Sequence, residues 1–550
     1  MTTTVATTAS PRARAGSDSL FAGTGTLLRL FLRRDRIYIP AWVLGITSLQ
    51  VAGAAAYPDI YPEEADRAVQ AAVVGGNPAM RALTGPGHGI DNYTYGAMMG
   101  NEYLGFMAII VALMSVFLMV RHTRAEEEAG RLELLRANVT GRHAPLAAAL
   151  LTAGITNLGL GLLMTVGMAG LGIESIDWTG SAVFGAAYAM VGLVFAGIAA
   201  VTAQLTEHSR AASGIAGASI GVAYLIRAIG DVEENGLSWL SPIGWAQASA
   251  PYVDNVWWPL ALGVAVFAAL AIVAFALTSR RDLGAGFVRQ RPGRSTATRL
   301  LGTPLGFAWR LQRAATFWWC VAMLLFGAAY GSALDVIDNY TENETVAQIA
   351  ATVGGASLIE SWLTLVITLF AIGCTIYAVS AALRPRREET SGRAEAVLAT
   401  ALSRTWWVGT HLVVAMVGGV VVLAFAGLGL GLGTVATRGD SEYLWEVFGA
   451  AVAYAPALWL TTGIAVAAVG IHPRAALLAW AMVGYAFLVT YLGGLLDLPQ
   501  WMYDLSPFNH VPHMPTEEFA LTPLLVLTGI TAGLVAIGLV GFRRRDLQTG

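Results

Sequence analysis

Apolar residues run along this chain in long unbroken blocks rather than in alternation, and short arginine-rich or aromatic segments separate the blocks. A helix needs about 20 apolar residues to cross roughly 30 Å of hydrocarbon. Blocks of that length fall at 37–57, 103–120, 144–170, 181–204, 211–229 and 258–277 in the first half. The second half supplies 313–334, 362–383, 408–436, 444–469, 475–496 and 521–541. The pattern therefore predicts an all-α polytopic membrane protein with twelve spans. Residues 20–36 are basic and half apolar, which predicts an interfacial helix ahead of the first span. Residues 1–19, rich in Thr, Ala and Arg without an apolar core, are expected to form a disordered cytoplasmic tail and not a cleavable signal.

The polar positions repeat. Glu126, Glu127, Glu128, Ala129, Gly130, Arg131, Leu132, Glu133 returns 262 residues later as Glu388, Glu389, Thr390, Ser391, Gly392, Arg393, Ala394, Glu395, and both copies read EExxGRxE. Ala129, Leu132, Leu135 and Val139 in one copy, and Ala394, Val397, Leu398 and Ala401 in the other, fall on one helical face, so each copy is expected to be a short amphipathic helix on the membrane surface. His208-Ser-Arg210 matches His472-Pro-Arg474, Leu240-Ser241-Pro242 matches Leu505-Ser506-Pro507, and Arg280-Arg281-Asp282-Leu283 matches Arg544-Arg545-Asp546-Leu547, at offsets of 264 or 265. Two parallel six-helix repeats follow, related by an axis along the membrane normal. The expected domains are the tail 1–19, a six-span unit at 20–277, a cytoplasmic linker with an interfacial helix at 278–312, and a second six-span unit at 313–550.

Charge placement sets the orientation. The chain has 33 arginines and no lysine. With both termini inside, 29 arginines fall in cytoplasmic segments, and only Arg67, Arg81, Arg227 and Arg438 lie outside or at the outer edge. That asymmetry is a strong positive-inside signal. Hydrophobic residues make up 56% of the chain and charged residues 13%, where a soluble protein carries about a quarter charged. The expected location is the bacterial cytoplasmic membrane. Cys320 and Cys374 both lie in apolar runs and are read as buried thiols.

The same residues exclude several chemistries. A phosphate-binding GxxxxGK[ST] loop needs a lysine, so this chain cannot contain one. No HExxH, GxSxG or paired Cys/His motif stands out. His510 and His513 near Glu517 and Glu518 have a metal-compatible spacing, but a proline-broken loop with two histidines reads as polar surface, and no metal site is assigned. Glu102, Arg227 and Glu360 sit near outer span ends as satisfied interfacial charges, and no buried carboxylate or histidine suited to proton coupling is evident. Phe317, Trp318, Trp319, Trp406 and Trp407 read as belt anchors. Gly185, Ala186, Ala187, Gly214, Gly217 and Gly221 predict close helix packing. The aromatic segments around Ser241-Pro242 and Ser506-Pro507 are expected to enter the outer leaflet as broken re-entrant helices.

Six spans, a basic interfacial helix, an EExxGR helix after the second span, a broken outer segment before the sixth and no nucleotide motif together resemble the ABC-2 type permeases of ATP-binding-cassette exporters. The fused form is similar to the actinobacterial permeases classed as polyketide-antibiotic exporters. The resemblance implies that Glu126, Glu127, Gly130, Arg131 and Glu133, with Glu388, Glu389, Gly392, Arg393 and Glu395, form two coupling helices that dock on the ATPase. It implies no cofactor in this chain, ATP and magnesium in two copies of a separate ATPase subunit, and a hydrophobic or amphipathic drug, antibiotic or lipid-like substrate leaving the cell. No catalytic residues and no nucleic-acid partner are expected. The alternative is an ion-coupled transporter of the major-facilitator type, whose GxxxDRxGRR-like loop this chain lacks.

Overall fold

The computed structural model describes residues 20–76, 78–131, 140–282, 284–287, 295–332, 358–439, 441–472, 475–493, 498–514 and 516–546. The expected N-terminal tail and Glu133 lie outside the described residues. Among these residues there are helices and turns and no strand. The chain divides into two compact units, Met1–Pro292 and Gly293–Gly550.

In the first unit, helix α1 (Thr24–Arg34) presents Leu27 and Phe31 to the core and precedes the first span α2 (Tyr38–Ile60). The second span begins eight residues earlier than its apolar block. It runs from Tyr95 through a π-helical turn at Met99–Tyr103 into α3 (Leu104–His122). Then follow α4 (Ala144–Ala169), α5 (Trp178–Leu205), α6 (Ser209–Val232) and α7 (Trp258–Arg280). Helix α5 is the hub, buried along most of its length. Its glycines explain how: a Cβ on Gly185 would run into the Gly161 carbonyl of α4, so the two backbones touch there. The fifth-span glycines do otherwise. Gly214, Gly217 and Gly221 have no atom of the structure within 4 Å of where a Cβ would stand, so close packing there is not realised.

Polar groups inside this bundle pair with one another, as hydrocarbon requires. Asn157 donates to Ser115 Oγ at 3.0 Å and Gln50 donates to the Tyr188 hydroxyl. At the end of the unit remote from α1, Glu102 accepts from Tyr57 at 2.7 Å, Gln70 at 3.1 Å and Tyr93 at 3.2 Å. Arg227, fully buried, donates to the Ala82 carbonyl at 2.6 Å, pairs with Asp231, and has the Gln247 amide oxygen at 3.4 Å. These charges thereby fasten the segment between the first two spans to the top of the bundle.

The second unit contains α8 (Pro304–Ser332), α9 (Leu358–Ala382), α10 (Arg404–Arg438), α11 (Glu442–Ala453), α12 (Ala455–Ile471), α13 (Ala476–Leu492) and α14 (Leu521–Arg544). Helix α8 starts at Pro304 and carries the basic segment and the span as one rod, where the first unit breaks the chain between Arg34 and Tyr38. Proline at a helix start and a Thr303 hydroxyl accepting from Gly306 N–H at 3.1 Å fix that beginning. Across the described residues, eleven helices are long and apolar enough to cross a membrane. The remaining apolar block, at 475–496, holds the 17-residue α13 among the described residues, at the lower end of the length that crosses.

Helices α8 and α10 meet through a reciprocal glycine stripe. Gly327 and Gly331 of α8 lie on the backbone of Ala426 and Leu430, while Gly429 and Gly433 of α10 lie on that of Leu324 and Ala328. Any side chain there meets backbone, which cannot move aside. Gly433→Leu is expected to destabilise the unit by roughly 1–3 kcal/mol through overpacking, lowering the thermal midpoint in size-exclusion fluorescence. Gly409→Leu, on the same helix with nothing within 4 Å, is the control that should leave the midpoint unchanged.

Candidate functional site

Each unit has a corner after its second span, and both corners are built from the EExxGR segment. In neither does a single helix run through the motif, and Leu132, Leu135 and Val139 of the first copy lie outside the described residues. In the first, Arg124–Glu128 forms a short helix that stops where Gly130 takes φ +70° and its N–H bonds to the Glu127 carbonyl at 3.0 Å. In the second, Arg384–Thr390 stops at Gly392, φ +72°, whose N–H bonds to the Glu389 carbonyl at 3.0 Å, and Arg393–Leu398 restarts the helix. Only glycine adopts this left-handed conformation without penalty, so it turns the corner.

The expected placement on a lipid surface also fails for the second copy. Ala394 is buried against Trp407, Val408 and Phe542, with Val397 and Leu398 packed alongside. The apolar face is spent on the protein itself. Trp407, read from sequence as a belt anchor, is 2% exposed in that cluster, whereas Trp406 beside it is 61% exposed.

The glutamates point inward and are held by arginines. Glu126 accepts from Arg34 at 2.5 Å and from Arg131 at 2.8 and 3.0 Å. Glu127 accepts from Arg124 at 2.8 Å, Arg281 at 2.8 Å and the Gly284 N–H at 2.7 Å. Arg142 closes the ring by donating to the Thr278 and Arg281 carbonyls. The second unit repeats this. Glu388 accepts from Arg393 at 2.6 Å and Arg384 at 3.3 Å, Glu389 accepts both of its bonds from Arg545 at 2.6 Å, and Arg404 donates to the Arg545 carbonyl at 3.0 Å. Each corner is thus locked to the end of the sixth helix of its own unit, α7 or α14.

Glu126, Glu388 and Glu389 are buried, and Gly130 and Glu127 are half-buried. The exposed positions are Arg131, Gly392, Arg393 and Glu395. Donating to Glu126 and Glu388 holds the Arg131 and Arg393 guanidiniums even further above their ordinary range, so both present fixed positive charge. The copies differ where the sequence differs. Glu128 accepts from the Ser209 N–H at 3.0 Å and hydroxyl at 2.5 Å, tying the first corner also to the start of α6. Thr390 instead donates back to the Arg387 carbonyl at 3.2 Å.

The Ser-Pro segments are broken, as expected, but unequal. Ser241 accepts from the Ile243 and Gly244 N–H groups and caps the helix Pro242–Gln247, every residue of which is buried. Ser506 and Pro507 are buried too, yet the Ser506 hydroxyl has no partner and the following Pro507–His510 is only a 3₁₀ turn. His510 bonds to the Asp504 carbonyl at 2.7 Å, and the His513 N–H bonds to Glu517 at 2.9 Å. Among the described residues no group of three or more His, Cys, Asp or Glu side chains is placed to hold a metal.

Sequence reasoning missed Arg34, Arg281 and Arg545 as partners of the glutamates. The signal was present, since Glu127 and Arg281 recur together as Glu389 and Arg545. Glu389→Ala leaves a buried guanidinium unpaired and is expected to cost about 3 kcal/mol or more. The exchange Glu389→Arg with Arg545→Glu should recover part of the lost thermal midpoint, and no recovery would show that the pair is not the source of the loss.

Comparison with known proteins places this geometry. One family model, described as the C-terminal domain of the multidrug efflux system permease Rv1217c, matches the chain twice, at residues 25–277 and 301–543. The chain is 39% identical over 533 residues, covering 96% of each sequence, to the multidrug efflux system permease protein Rv1217c of Mycobacterium tuberculosis. The same module occurs twice in tandem, each copy with its own clasped corner, and this multi-pass membrane chain belongs to the multidrug efflux system permease family.

Proposed function

We propose that this chain is the membrane subunit of an ATP-driven exporter of the ABC-2 type, moving hydrophobic or amphipathic compounds out of the cytoplasm or inner leaflet. The observation that carries the reading is the pair of corners, each presenting an exposed arginine on a base immobilised by buried glutamates. A docking element must transmit force instead of absorbing it, and the clasp removes the freedom of the corner relative to the sixth helix of its unit. The arginine distribution supports a cytoplasmic position for both corners.

On this reading two copies of a separate ATPase bind beneath. Nucleotide and magnesium stay with them, since a chain without lysine has no phosphate-binding loop of its own. Contact is made by Arg131, Arg393 and Glu395, while Glu126, Glu127, Glu388 and Glu389 position them. Closure of the ATPase subunits moves the corners, and because each is tied to the end of α7 or α14, those helices follow. Differential binding of nucleotide to the two arrangements supplies the work. Glu128 gives the first corner an extra link to α6, so the two docking contacts are unequal.

Arg131→Ala with Arg393→Ala is expected to reduce drug-stimulated ATPase activity of the co-purified complex about tenfold or more, since two charged contacts at an interface are removed. Thermal stability of the permease should change little, because both side chains are half exposed. Unchanged assembly and activity would overturn the docking assignment, and transport by the purified chain alone on an ion gradient would favour a secondary transporter.

A further inference from the structure

A groove of about 330 Å³ runs between α2 and α3 in the first unit. Tyr38, Trp42, Gly45 and Leu49 of α2 and Met107 and Ile110 of α3 line it, and no charged side chain enters. From Tyr38 to Leu49 a helix rises roughly 16 Å, about half the hydrocarbon thickness and so about one leaflet. Leu44 and Leu49 are more than half exposed, which leaves the groove open along its side.

Its mouth is cationic. The Arg121 guanidinium lies over the Tyr38 ring at 5.1 Å, at the end where α2 begins. Arg33 and Arg36 are exposed on the adjoining turn. Two carboxylates lie nearby: Asp35 is fully buried and shared between His122 at 2.6 Å and Arg121 at 3.0 Å, and Glu126 is taken up by Arg34 at 2.5 Å. An apolar slot one leaflet deep that opens beneath the exposed Arg33 and Arg36 and the half-exposed Arg121 matches a single-headed molecule with a phosphate and an acyl chain.

We propose that this groove binds an anionic phospholipid, with one acyl chain along Gly45 and Trp42 and the phosphate on Arg121 and Arg36. The charge placement puts that lipid in the cytoplasmic leaflet. The site does not depend on how the transporter is energised. It sits on the helix that follows α1 and beside the span that leads to the first corner, so lipid composition has a direct contact with the moving part.

The test uses the full-length chain in neutral detergent. Native mass spectrometry compares retention of phosphatidylglycerol and phosphatidylcholine with identical chains, and a photoreactive residue at Ala41 reports occupancy of the groove itself. Phosphatidylglycerol is expected to be retained roughly tenfold better, two arginines contributing about a factor of three or more each. Gly45→Phe, placed where no atom lies within 4 Å, should abolish the Ala41 adduct without lowering the thermal midpoint. Arg36→Gln should reduce the preference severalfold. Equal retention of the two lipids, an adduct with phosphatidylcholine alone, or an adduct that persists in a folded Gly45→Phe variant would each overturn the proposal. So would displacement of the lipid by a hydrophobic efflux compound that itself becomes the adduct, which would make the groove a substrate entrance.

Discussion

A buried ion pair between a corner glutamate and an arginine beyond the sixth helix is the contact on which each unit depends. Glu127 with Arg281, and Glu389 with Arg545, join two ends of the chain that would otherwise swing independently at the membrane surface. Pairs of this kind cost desolvation, and they persist only when neighbouring donors satisfy the remaining oxygens. For Glu127 the Gly284 N–H and Arg124 supply those donors, and Arg142 and Arg404 hold the backbone of Arg281 and Arg545 in place. The result is rigidity in a region where loops are normally mobile.

Within the hydrocarbon a different constraint rules. Apolar side chains gain nothing by leaving lipid for one another, so helix contacts must come from close backbone approach and from paired polar groups. The two units meet this demand differently. The first places Gly161 against Gly185 and buries Asn157 with Ser115, whereas the second zips α8 to α10 through Gly327, Gly331, Gly429 and Gly433. The two units thus differ in how their helices adhere and agree in how their corners are clasped.

The far end of the first unit carries a third kind of order. The half-buried Glu102 and the buried Arg227 and Asn101 each bond to the segment between the first two spans, through Gln70 and Tyr93, the Ala82 carbonyl, and His88. The His88 imidazole within that segment is shifted below its ordinary range by burial. Folded structure at this end explains why the second span starts at Tyr95, ahead of its apolar block: the π-helical turn at Met99–Tyr103 lets Glu102 and Asn101 face inward before the hydrocarbon run begins.

Span positions, the doubling of the module, the recurrence of the corner motif and the lack of a phosphate-binding loop were all legible in the chain, because hydropathy and motif spacing are local properties read one residue after another. Breaks and partners were not. The glycine in EExxGR looked like part of a helix because periodicity alone cannot register a positive φ, and Trp407 looked like a belt aromatic because its burial against Ala394 and Phe542 depends on α14, far away in sequence. Glu127 and Arg281 stand 154 residues apart, and Glu389 and Arg545 stand 156 apart. Which arginine among so many meets which glutamate is fixed only when the six helices of a unit assemble and bring those ends within 3 Å, where a charge is either paired or too costly to bury.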